Sequence, residues 1–246
     1  MLIMKNLIKI SSIVILTAGF ITSCTKVTEP EPDVQISIDE MYSNAISDAM
    51  LAEENEIYNN LTAIVPSNPS ISWNEDSSMV LVISWTSYPD SYPVHDTVSC
   101  WWGDTWVTAV PDLEIWVNSH VFSIDDPSLR LKQLLGLAPE AEHSHFVEFW
   151  ASTEDLFRPA PDSEITDSVC DLMFPDDVDP EYVEWFNNNI LYSYFPPRYP
   201  WTRLGYTYDW GSPDTAIGLS EFVLRKNAEI IIERVLSTEE YVSQIQ

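Results

Sequence analysis

The apolar positions along the chain change their spacing several times, and each spacing predicts a different element. Residues 79–85 form a nearly continuous apolar run that is rich in β-branched residues and too short for a typical core helix. They therefore predict a buried central strand. Residues 38–64 instead carry apolar side chains at helical intervals, and Ser37 and Glu40 have the spacing of a capping box. We expect one helix over residues 38–64, or a pair of helices interrupted near residues 53–55.

Helix caps and shorter apolar runs predict the remaining elements. Asp126-Pro127 and Asp179-Pro180 each place a capping acid before a proline at the first helical position, so helices should begin there. A second capping box at residues 237–240 should begin a C-terminal helix. Further strands are predicted at residues 105–110, 145–150, 221–224 and 229–236. Because helices and strands do not alternate regularly, the sequence predicts a single α+β domain over residues 38–246. We expect a mixed or antiparallel sheet, an N-terminal helical segment and short peripheral helices.

The first residues of the chain have the organisation of an export signal. Lys5 and Lys9 precede an apolar run of twelve residues, from Ile10 to Ile21. This run is too short to cross a bilayer as a helix, which takes about 20 residues, and its order is typical of a secretory signal.

Ile21-Thr22-Ser23-Cys24 resembles the lipobox of bacterial lipoproteins. The resemblance implies that residues 1–23 are a signal peptide, that Cys24 is lipidated, and that the lipid at Cys24 anchors the protein to a membrane. Thr25 in place of aspartate implies the outer membrane of the cell envelope, with the domain facing the periplasm or the surface. Residues 24–37 are polar with alternating Glu-Pro, so we expect them to be a flexible tether. The alternative is an ordinary secretory signal whose cysteine is incidental.

The charge of the chain excludes one class of partner. Residues 1–23 carry two lysines and no acids, so their removal leaves nine basic and 39 acidic side chains and a formal charge of −30. Such a surface repels nucleic acid, and we expect no nucleic-acid partner. The charge itself serves either solubility or the attraction of cations, including divalent metal ions.

The cysteines and histidines offer two further hypotheses. If Cys24 is lipidated, Cys100 and Cys170 remain, either as a disulfide or as two buried free thiols. His143 and His145 lie two residues apart on a predicted strand, so both rings point to the same side and could bind one metal ion. The alternative is a pair of hydrated histidines at an exposed strand entry. No dinucleotide-binding, P-loop or Gly-x-Ser-x-Gly motif occurs, so no cofactor is evident apart from a possible divalent metal.

Residues 198–211 form the most unusual segment of the domain, because two arginines and five aromatic residues occur among only fourteen positions. Arginine between aromatic faces can stack and still present its donors to an anion. We expect a ligand-binding cleft with Arg203 as the anion clamp and Asp209 and Glu221 as candidate acid and base. Its expected ligand-binding residues are Trp201, Arg203, Tyr206, Tyr208 and Trp210. The alternative is a folded loop whose rings complete the core and whose arginines neutralise nearby acids.

Three functions are compatible with this sequence. The first is an envelope-anchored binding or interaction domain for a glycan or a peptide-like ligand. The second is an enzyme acting on a glycosidic or N-glycosidic bond, in which Glu221 or Asp209 stabilises the transition state and Arg203 holds the substrate. The third is a structural surface lipoprotein.

Overall fold

A computed structural model describes residues 36–120 and 125–244 of the protein. The predicted signal peptide 1–23, Cys24 and nearly all of the predicted tether 24–37 lie outside the described residues. Ile36–Gln246 form one compact unit. Its elements are those of a single α+β domain, as the sequence predicts.

A seven-stranded antiparallel sheet organises this domain, and a separate pair of strands accompanies it. The strands of the large sheet are, in chain order, β1 (Met79–Thr86), β2 (Thr97–Ser99), β3 (Thr105–Ala109), β4 (His145–Ser152), β5 (Leu156–Phe157), β8 (Phe222–Leu224) and β9 (Glu229–Ser237). Across the sheet they lie in the order β2-β9-β4-β1-β3-β8-β5. The separate pair consists of β6 (Tyr206–Tyr208) and β7 (Ile217–Ser220). The strands predicted at residues 79–85, 105–110, 145–150, 221–224 and 229–236 are therefore present, with small changes at their ends.

Strand β1 occupies the centre of the sheet because both of its faces are covered. It pairs with β4 from Met79↔Ser152 to Thr86↔His145 and with β3 through Ile83↔Thr108. Val80 and Val82 belong to the apolar cluster on one face, and Ile83 belongs to the cluster on the other. Burial on both faces explains why this run does not alternate with polar residues, even though the sheet is antiparallel.

The described residues contain five α-helices: α1 (Ile38–Ala49), α2 (Val110–His120), α3 (Pro127–Leu134), α4 (Pro180–Tyr194) and α5 (Thr238–Gln244). The predicted caps are formed, since Ser37, Asp126 and Asp179 each accept a hydrogen bond from a backbone N–H of the first turn. Ser237 and Glu240 also form the predicted reciprocal capping box before α5. Within residues 36–120 and 125–244, every helix is too short or too polar to cross a membrane.

One sequence-based prediction about a helix is wrong. The helical prediction for residues 38–64 holds only to Ala49, because Leu61 N–H and Ile64 N–H donate to the carbonyls of Ser168 and Ile165 in a distant loop. Strand β3 ends at Ala109, and Pro111 lies in the first turn of α2, where a backbone N–H would have no helical partner in any case.

Cys100 and Cys170 are free thiols, so the disulfide hypothesis is wrong and the alternative of two buried thiols holds. Cys100 lies in the central cluster, whereas Cys170 lies in a separate cluster with Leu204 and Tyr206. Burial raises the pKa of Cys100 to about 11 and that of Cys170 to about 12, so both remain neutral thiols at physiological pH.

Candidate functional site

A cavity of about 510 Å³ lies against one face of the sheet where β1, β3 and β8 run side by side. Ile83 and Thr108 are cross-strand partners on its floor. Val107 pairs with Phe222, the first residue of β8, and Glu221, which directly precedes β8, also lines the cavity. The lining therefore contains both the hydroxyl of Thr108 and the carboxyl of Glu221.

Helices and the segment after α4 supply the other walls. Leu113 of α2, Leu137 after α3 and Asn189 of α4 face the same space. Many of the other lining residues are aromatic, among them Trp85, Trp102, Trp106, Tyr192, Tyr199 and Trp201. Three of these rings (Trp106, Tyr192 and Tyr199) are between 37% and 53% exposed, so they form the rim of the cavity.

Three polar groups on the cavity lining lack a hydrogen-bond partner among the described residues. They are Glu221 Oε1, Thr108 Oγ1 and Asn189 Nδ2, and all three atoms are buried. Most buried polar atoms in folded proteins have a partner, because leaving one unsatisfied costs about 1–3 kcal/mol. Their convergence on one cavity is the feature expected of a site that a ligand completes.

Glu221 is the group with the strongest electrostatic signature in this site. Its side chain is only 7% exposed, and burial raises the pKa of its carboxyl to about 8. No lysine or arginine occurs among the described residues that line the cavity. At neutral pH Glu221 is therefore largely protonated, and it can donate a hydrogen bond or ionise when a positive partner enters.

His143 also lines the cavity, but the predicted metal site is incomplete. The His143 ring packs edge-on against Trp85, with 5.5 Å between the two ring centroids, and His143 Nδ1 lies 3.2 Å from Ser87 Oγ. Burial, together with Lys132, lowers its pKa. The Nδ1 of His145 instead contacts Ser144 Oγ at 2.9 Å. Over residues 36–120 and 125–244, no group of three histidine, cysteine, aspartate or glutamate side chains is arranged to hold a metal ion.

Asp209 and Arg203 do not join Glu221, so the predicted catalytic trio is not assembled. Asp209 receives two hydrogen bonds from the Arg130 guanidinium, at 2.8 and 2.6 Å, and a third from the Gly211 N–H. Arg203 donates to the carbonyls of Ala49 and Met50 at the end of α1. Asp209 is thus neutralised by an arginine of α3, whereas Arg203 binds backbone carbonyls and not an acid, so the alternative in which the arginines of the segment neutralise nearby acids is not seen among the described residues either.

The predicted aromatic platform is also dispersed, because most of its rings are packed into the core. Trp201 and Tyr208 line the cavity, and the hydroxyl of Tyr208 donates to Asp48 at 2.7 Å. Tyr206 and Trp210 lie elsewhere, with their donors bound to the carbonyls of Glu56 and Leu137. The segment thus contributes one wall of a site rather than an exposed binding face.

Thr108 and Asn189 are the site residues that sequence reasoning missed. Thr108 had a usable signal, since it is a polar residue in a run that was predicted to be a strand. Asn189 had none, because it lies in a run of three asparagines on a helix and only the tertiary fold turns it toward the cavity.

Comparison with known proteins adds no relative from which this site could be interpreted. No protein-family model, no curated protein and no solved structure matches the chain.

Proposed function

We propose that the protein is an exported, lipid-anchored binding domain whose ligand occupies the cavity beside Glu221. The observation that carries this proposal is the convergence of three unpartnered polar groups on one aromatic-lined space. A volume of about 510 Å³ lies within the usual range for small-molecule sites, about 300–1,000 Å³. The ligand is a small molecule, or the end of a glycan or peptide, with an apolar body against the rings and a polar group toward the floor.

An enzyme acting on a glycosidic or N-glycosidic bond is the second candidate. The raised pKa of Glu221 suits a general acid, which is the observation in its favour. Such enzymes need a second carboxylate, and Asp104 is the other acid among the described lining residues. Asp104 already accepts hydrogen bonds from Trp185 Nε1 and from the Lys226 N–H, so the binding function is favoured. Turnover that disappears in Glu221→Gln while the ligand still binds would reverse this preference.

Filling the cavity should weaken the binding of a neutral aromatic probe. In wild-type protein, indole should shift the amide resonances of Thr108, Gly136 and Glu221 saturably in ¹H–¹⁵N NMR spectra. Thr108→Phe places a ring inside the cavity and should weaken this binding by at least about tenfold, or 1.4 kcal/mol.

The matched control is Thr97→Phe, which places the same ring on the exposed edge strand β2 and should leave indole binding unchanged. Both spectra also report whether the variants remain folded. Indole-induced shifts confined to surface amides far from Thr108 would contradict the proposed site.

The proposed anchor predicts a change of compartment. Cys24→Ala removes the only thiol in the lipobox-like sequence, so the protein should move from the membrane fraction to the soluble fraction of the expressing bacterium. Cell fractionation followed by immunoblotting measures this shift. Cys100→Ala removes a buried free thiol of the domain and should leave the protein in the membrane fraction. Membrane association that survives Cys24→Ala would place the anchor elsewhere.

A further inference from the structure

We infer that the ligand of this cavity is an organic cation, namely a protonated amine on an apolar body, whose charge pairs with Glu221. This inference rests on the proposed function, since it takes the cavity to be the binding site. It adds the chemical class of the ligand.

The lining of the cavity has the charge that such a cation requires. Glu221 and Asp104 contribute two carboxyl groups, and no lysine or arginine from the described residues faces the same space. Lys132, which lies near His143, donates its ammonium to the Pro139 carbonyl. Burial keeps His143 neutral by lowering its pKa. The protein therefore supplies negative charge in the cavity and leaves the positive charge to the ligand.

The groups behind Glu221 do not neutralise it either. Cys170, Tyr194 and Tyr206 are close enough to interact electrostatically with Glu221, and burial keeps all three neutral. Arg158 and Arg203, which interact with Cys170 and Tyr194 respectively, donate their hydrogen bonds to backbone carbonyls. Arg158 Nη1 and Arg203 Nε are buried without a hydrogen-bond partner, but in the part of the chain that the structure describes neither arginine forms a salt bridge with Glu221.

The floor and the walls match an ammonium group in different ways. Glu221 Oε1 and Thr108 Oγ1 are unpartnered oxygens of residues that line the cavity, so both can accept hydrogen bonds from an ammonium group. The rings of Trp85, Trp106 and Trp201 present aromatic surfaces that attract cations. The formal charge of −30 predicted for the mature chain would concentrate cations near the surface. An anionic ligand would instead be repelled by the carboxyl groups, by the aromatic faces and by the negative charge of the surface.

Binding of a cation should release a proton, because Glu221 is largely protonated in the free protein at neutral pH. The pKa of its carboxyl is about 8, and an ammonium partner stabilises the ionised form. At pH 6.5 we expect release of nearly one proton per bound ligand, falling to none above pH 9. The apparent affinity should rise by about tenfold per pH unit up to pH 8 and then level off.

Three probes of nearly equal size test the ligand class: 2-phenylethylammonium, 2-phenylethanol and phenylacetate. Isothermal titration calorimetry at pH 8 should show the cation binding at least about tenfold more tightly than the alcohol, and the anion binding least. Titrations at pH 6.5 in two buffers of different ionisation enthalpy measure the released proton.

Two isosteric variants assign the effect to one carboxyl group. Glu221→Gln should bind the alcohol about as well as the wild type does, but lose both the preference for the cation and the proton release. Glu75→Gln removes the same charge from an exposed position outside the cavity lining and should change neither.

The possible results separate the inference from the proposed function. Equal binding of the cation and the alcohol by the wild type would overturn the inference and leave the binding function standing. A cation preference that persists in Glu221→Gln would also overturn it, since the charge would then be recognised elsewhere. Failure of all three probes to bind would overturn both the inference and the proposed function.

Discussion

At pH 8.5 the Glu221→Gln variant should be more stable than the wild-type protein by about 5 kcal/mol. The carboxyl of Glu221 has its pKa raised by burial from an ordinary value of 4.5 to about 8. The folded state therefore holds a proton that the unfolded chain has released. Below pH 4.5 both states are protonated and the carboxyl has no such cost. Between pH 4.5 and 8 the wild type loses about 1.4 kcal/mol of stability per pH unit through this group, and glutamine loses none.

Urea unfolding at pH 4.5, 6.5 and 8.5 measures this difference. The two proteins should have similar unfolding free energies at the lowest pH and diverge steadily as the pH rises. Glu148, Asp112 and Asp162 also have raised pKa values, but they are common to both proteins, so the difference isolates Glu221. Parallel pH profiles would mean that Glu221 is ionised and paired in the folded protein, against the arrangement described for the cavity.

Asp209→Asn should destabilise the domain by about 3 kcal/mol. Asp209 is 4% exposed and Arg130 is 18% exposed, and two short hydrogen bonds join them. Asparagine keeps the shape of the side chain but leaves the Arg130 guanidinium without a counter-charge in a largely buried position. The expected loss is at the lower end of the range for buried pairs because Arg130 retains some contact with water.

Chemical denaturation at neutral pH measures this loss, and Asp214→Asn is its matched control. Asp214 is exposed, and the same substitution there should change stability by less than about 0.5 kcal/mol. Adding Arg130→Met to Asp209→Asn should restore part of the stability, because it removes the unpaired charge. An Asp209→Asn protein with wild-type stability would show that Asp209 is not a structural partner, and its candidacy as a catalytic acid would return.

The elements that sequence reasoning predicted are those whose signals are local. Ser37, Asp126 and Asp179 cap helices through contacts only two or three residues away, so the sequence contains both partners. The run around Val80 and Val82 is apolar on both faces, and this pattern indicates a central strand in any fold. Local chemistry of this kind does not depend on how the chain is folded.

The failures occurred where distant residues decide the structure. Leu61 and Ile64 keep a helical spacing, yet their backbone groups bond to residues 168 and 165, more than 100 positions along the chain. A helix can have the same apolar spacing as a non-helical segment that buries one of its faces. Only the distant partner distinguishes them.

The same limit explains the outcome for the site. Glu221 lines the cavity, but its expected companions Arg203 and Asp209 were chosen for nearness in sequence. In the fold, Arg203 binds the end of α1 and Asp209 binds Arg130 of α3, and both helices are distant from the segment in the sequence. Thr108, which lines the same cavity as Glu221, lies on β3, more than 100 residues earlier in the chain.

The attachment of α1 has a mechanical consequence. Arg203 holds the carbonyls at the end of this helix, and Tyr208, which lines the cavity, binds Asp48 within it. Tension on the chain ahead of α1 would therefore act on these bonds, and through Tyr208 part of the force would reach the cavity wall. In the proposed lipid-anchored protein, a force that pulls on the anchor would then change the affinity of the cavity for its ligand.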